Sequence, residues 1–144
     1  MASVAVLQTK EKVQRFLTDL VERVGIDSDG DFHFRHGSAH IFVRVSEWHD
    51  EETLVRVWAP TNIGIPPTPE LFKYLALEGS NYLFGRIDAI EDEGKVNVHF
   101  AHTLLGTYLD PEELKSVAAV VAKTADEIDD KIKNLFGGRV FHEE

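Results

Sequence analysis

Apolar residues recur at helical spacing from about Thr9 to Val24. Val13, Phe16, Leu17, Leu20, Val21 and Val24 fall at the i, i+3, i+4 intervals of one helical face, and Gly25 closes the run. The period then changes to two. Phe32, Phe34, Ile41, Val43 and Val45 alternate with His33, Arg35, His40, Phe42 and Arg44 on either side of Gly37-Ser38. Strand side chains point alternately to opposite faces, and a Gly-X pair makes a two-residue hairpin turn. The pattern predicts Arg35 opposite His40, Phe34 opposite Ile41, His33 opposite Phe42 and Phe32 opposite Val43. His36 sits at the turn on the side of Phe32 and Phe34.

A third strand spans Thr53 to Ala59, with Val55 and Val57 on one face and Leu54, Arg56 and Trp58 on the other. Pro60 to Pro67 reads as an irregular connection. Thr68 caps a short helix that starts at Pro69 and carries Leu71, Phe72, Leu75 and Tyr74 to Gly79. A second hairpin turns at Glu91 to Gly94. Leu83, Ile87, Ala89, Val96, Val98 and Phe100 face one way, with Gly85 making room for Phe100; Tyr82, Phe84, Arg86, Asp88, Asn97 and His99 face the other. Asp110-Pro111 opens a long helix whose stripe runs through Leu114, Val117, Val121, Ile128, Ile132 and Leu135 to Gly137-Gly138. The order is α-β-β-β-α-β-β-α. It predicts an α+β fold: a five-stranded antiparallel sheet with two long terminal helices packed on one face.

The length, 144 residues, suits one domain over 1–144, and 43% hydrophobic with 28% charged residues is a globular composition. The start lacks the basic and apolar segments of a secretory signal, and no apolar run approaches the ~20 residues of a membrane span. Cysteine is absent, which excludes thiol chemistry and disulfides and fits a cytoplasmic protein. A net charge of −10 opposes nucleic-acid binding unless the positive charge is segregated.

Segregation does occur. The sheet face away from the helices collects Arg35, Arg44, Arg56 and Arg86 together with Phe42, Leu54, Trp58, Tyr82 and Phe84. Aromatic groups beside arginine are typical of interface centres. These nine residues are the candidate peptide- or protein-binding surface. The histidines do not make a metal centre on this pattern: His36 leaves the face of His33 and His40, and His99 and His102 point to opposite faces. Asp27, Asp29 and Asp31 faintly suggest a calcium loop, but the glycine is fourth rather than sixth and Ser38 holds the place of the bidentate Glu, so an acidic turn is expected. Carboxylates flank His49 in Glu47 to Glu52, which leaves a small-molecule or metal-dependent enzyme as the alternative class. A purely structural homodimerisation domain is a third. No nucleophile elbow, zinc-protease motif or phosphate loop is present, so no catalytic residue, cofactor or metal is assigned.

The element order, with "NYLFGRI", "HTLLG", "LDPEEL", "TADEIDD" and the terminal "FGGR", resembles the YbjN-like family. It is more closely similar to the actinobacterial peptide-binding chaperone-like (TY-Chap) domains, related in fold to type III secretion chaperones such as CesT. The resemblance is strongest from Asn81 to Arg139. It implies a non-enzymatic cytoplasmic protein that binds polypeptide clients, often as a homodimer; net charge and the lack of an apolar span argue separately against nucleic-acid and membrane partners.

Overall fold

A computed structural model of the chain describes residues 2–141. Helix α1 (Val4–Leu20) starts ahead of the apolar stripe, at Ser3, whose Oγ accepts from the Val6 N–H at 3.1 Å. It buries Val6, Thr9, Val13 and Leu17. Val21 and Val24 keep the helical spacing but lie beyond its end, on the extended stretch leading into the short strand β1 (Gly25–Ile26).

Strands β2 (Phe32–His36) and β3 (Ala39–Glu47) form the expected hairpin. Its register is Phe32–Val43, His33–Phe42, Phe34–Ile41, Arg35–His40 and His36–Ala39, with Gly37 supplying the positive φ of the turn. Strand β4 (Thr53–Ile65) pairs with β3 and then with β6 (Lys95–Leu105), which pairs with β5 (Arg86–Asp92). The antiparallel order is β1-β2-β3-β4-β6-β5, and β7 (Arg139–Val140) pairs with β4 at Asn62 and Ile63. Two further helices, α2 (Pro69–Glu78) and α3 (Pro111–Phe136), carry the caps read from the sequence. The Thr68 hydroxyl accepts from Leu71 N–H at 3.2 Å, and the Asp110 carboxylate accepts from Glu113 N–H at 2.8 Å. Val13 and Leu17 of α1 and Leu114, Val121 and Ile128 of α3 share one core with Ile41, Val43, Val55, Val57, Val98 and Phe100 of the sheet. No helix among the described residues is long and apolar enough to cross a membrane.

The α+β class and the helix-covered face agree with the sequence reading, while the sheet has seven strands rather than five. The two additional ones, β1 and β7, have two residues each, too few to show a period. Pro60 to Ile65 continues β4 instead of leaving it. Register shifts between Pro60 and Asn62 and between Asn62 and Ile65 absorb the proline and Gly64, the residues that suggested a loop.

The approach to β5 departs most from strict alternation. Gly85 has φ +96°, and a Cβ there would collide with the Phe100 ring. Close approach to Phe100 is as expected, but the turn ends the strand, so Asn81 to Gly85 lies outside it. Tyr82 therefore packs edge-on against Phe100, ring centroids 5.2 Å apart, on the core side rather than on the aromatic sheet face. Leu83 is 96% exposed instead of buried, and Leu135 also projects from the end of the α3 stripe. Phe84 lies edge-on to His102, whose register partner is the core residue Val57. It too leaves the aromatic face.

Candidate functional site

On the sheet face opposite the helices, aromatic rings form a row across three strands. His33 and His40 lie 5.2 Å apart, His40 stacks on Phe42 at 4.7 Å, and Phe42 stacks on Trp58 at 5.4 Å. Arg44 and Arg56, directly opposite on β3 and β4, cover the indole with their guanidinium carbons 5.4 and 4.6 Å from its centroid. Cation–π attraction and apolar stem packing both favour this arrangement. Trp58 is consequently 7% exposed. The anchor suggested by the pattern is a buried member of this layer, with Phe42 and Leu54 half-buried beside it.

Two guanidinium groups so close would repel unless each had its own anion. Asp31 takes Arg44 in a two-pronged pair of 2.8 and 2.6 Å, and this hydrogen bonding holds the guanidinium even more firmly protonated than usual. Asp88 accepts from Arg56 and from Arg86, each at 3.0 Å. Arg86 also donates to Thr103 at 3.2 Å. Beside them His99 is pushed down to about 4 by burial and by the positive Arg56, with Asp88 opposing. Its Nδ1 is buried without a hydrogen-bond partner among the described residues. Three of the four expected surface arginines are thus ion-paired internally; Arg35 donates to the Ser38 carbonyl at 3.4 Å and has no carboxylate partner among the described residues.

Arg35 lines a groove of about 960 Å³ at the β2 margin of the sheet, together with Val21, Val24, Gly25, Phe34 and the His33–His40 pair. The groove exists because β1 is so short. It covers β2 only at Phe32 and His33, so among the described residues Phe34, Arg35 and His36 have no strand on that side. Gly25 lets the His33 ring lie against the backbone there, since a Cβ would meet the far end of that ring. His33 Nδ1 and His40 Nε2 lie 3.2 Å apart in a hydrogen bond, while His36 pairs with Ala39 on the other face. Burial, then the nearby Arg35 and His33, lower the His40 pKa. Val21, Arg23 and Val24 were absent from the sequence-derived surface because their spacing reads as one more helical turn.

The acidic motif Asp27–Asp31 is a self-closing turn. The Asp27 carboxylate accepts from the N–H groups of Asp29 at 2.9 Å and Asp31 at 3.0 Å. The three carboxylates come within 4.8 Å of one another, but Asp31 is turned to Arg44. The His49 loop borders a second cavity, of about 540 Å³, between the start of α1 and residues 47–52. His49 bonds Asp50 at 3.2 Å with both side chains largely in water, where such a pair is weakly held.

The sequence of residues 8–144 matches the family model described as T3SS (YopN, CesT) and YbjN peptide-binding chaperone 1. The chain belongs to this family. No curated protein sequence matches it. Solved structures share the family fold at low identity. YbjN from E. coli is 11% identical, with 88% of this chain and 92% of that chain covered and a TM-score of 0.61. The Yersinia pestis type III secretion chaperone SycH, in complex with a stable fragment of YscM2, is 15% identical, with 83% and 98% covered and a TM-score of 0.54. At such identities the likeness concerns the fold alone.

Proposed function

We propose that this chain is a non-enzymatic, cytoplasmic chaperone-like module that holds a client polypeptide in extended form along the open edge of β2. Family membership supports the class of activity. The observation that carries the location is the coincidence of an unpaired strand edge at residues 34–36 with the groove lined by Val21, Val24 and Phe34. Added strands bind through backbone hydrogen bonds and are selected through side-chain pockets. The flat aromatic layer around Phe42, Leu54 and Trp58 offers less, since its indole is buried and Arg44, Arg56 and Arg86 already have partners.

Panning a random nine-residue peptide library against the full chain tests this. Apolar β-forming sequences should be enriched, and Val24→Asp, at a half-buried groove position, should release them while preserving the circular dichroism spectrum. Failure to enrich any peptide, or full retention by Val24→Asp, would overturn the assignment.

A further inference from the structure

We infer that the β2 groove selects an extended segment carrying an acidic side chain between apolar ones, the carboxylate being taken by Arg35 and Arg23. This rests on the groove being the polypeptide site and adds the chemistry of its occupant.

The argument is one of charge left over after internal pairing. Arg44, Arg56 and Arg86 are bound to Asp31 and Asp88. Arg23 and Arg35 are exposed, form no ion pair among the described residues, and both line this groove. Among the described residues the only acid on its lining is Glu22. His33 and His40, hydrogen-bonded to each other, add no negative charge. Val21 and Val24, both half-buried, supply the apolar part of the same surface, with the core residue Phe34 beneath them. An incoming strand presents alternate side chains to it, so apolar residues flanking a carboxylate match what the groove offers.

Long-range electrostatics runs the other way. The chain carries −10 overall, which repels acidic peptides at a distance. At about 0.15 M salt that field is screened beyond roughly 8 Å, so any acid preference must arise from cations next to the bound segment. The expected selectivity therefore opposes the one net charge alone would produce.

The experiment is the library panning at about 0.15 M salt, read for composition, on the wild-type chain and on the double variant Arg23→Glu with Arg35→Glu. Both positions are exposed, and thermal melting confirms that the variant is folded. Wild-type binders should carry Asp or Glu several-fold more often than Lys or Arg. The variant should reverse that ratio while still retaining apolar β-forming sequences. Wild-type binders without an acid preference, or an acid preference unchanged in the double variant, would overturn the inference and leave the polypeptide site standing. No binders to either form would remove the site itself, and the inference with it.

Discussion

The Arg44 guanidinium closes on the Asp31 carboxylate through two hydrogen bonds, with Asp31 nearly buried and Arg44 half exposed. This pair ties the acidic turn before β2 to the middle of β3 and fixes one of the cations over Trp58. Removing Arg44 would leave a desolvated carboxylate. Arg44→Ala should therefore destabilise the fold by about 2 kcal/mol, below the 3–5 kcal/mol of a fully buried pair because one partner meets water. Urea denaturation of Arg44→Ala, Asp31→Asn and the double variant would measure the coupling. Additive losses would show that the two groups stand independently.

Trp58 behaves as a core residue on the outer face. Trp58→Ala should cost about 3 kcal/mol or more, as large aromatic truncations do when the surroundings cannot collapse. A midpoint in urea within experimental error of wild type would contradict the burial of the indole under Arg44 and Arg56.

His99 ties stability to pH. Its pKa is about 4 in the folded chain, below the ordinary value of 6.5, so the unfolded chain binds the proton first. The stability it contributes is present above pH 6.5 and is lost as the pH falls from 6.5 towards 4. The loss should amount to about 1–2 kcal/mol after allowance for solvent screening at a partly exposed site. His99→Gln should flatten the profile in that window. A wild-type profile of the same shape would assign the acid sensitivity to other groups.

Self-association should involve α2 and the turn after it. Leu83, Leu77, Phe84 and Phe72 are 96, 62, 57 and 42% exposed, and large apolar groups of this kind mark contact surfaces. We expect a homodimer in sedimentation velocity at about 50 μM, where mass action favours association, and a monomer for Phe72→Asp with Leu83→Asp. A wild-type chain that stays monomeric at that concentration would rule out this surface as a dimer contact.

Gly85→Ala should cost about 2 kcal/mol or more, because it combines a φ that side chains rarely adopt with a collision against the buried Phe100 ring. Thermal melting would register the loss, and an unchanged melting temperature would show that the turn can rearrange.

Local chemistry made much of the fold legible. The Gly37-Ser38 turn set the β2–β3 register, and period-two alternation sent His33 and His40 to one face and His36 to the other. Thr68-Pro69 and Asp110-Pro111 announced their helices because capping depends on a few adjacent atoms. Extending the same hairpin register by one pair sets Asp31 opposite Arg44, so even that ion pair was accessible from the sequence.

Tertiary structure decided what no local rule contains. β7 and the continuation of β4 past Pro60 exist because distant strands supply hydrogen bonds that short or proline-bearing segments cannot supply alone. Gly85 turned Tyr82 and Phe84 off the aromatic face because Phe100, on another strand, occupies the space beside it. Most consequential was the pairing of charges. Composition and alternation placed arginines on one face, but only packing brought Asp88 of β5 to Arg56 of β4 and left Arg23 and Arg35 without an ion pair among the described residues, beside an open strand edge. Which charges remain available depends on which partners the folded chain brings within hydrogen-bonding distance, and alternation along one strand does not encode that.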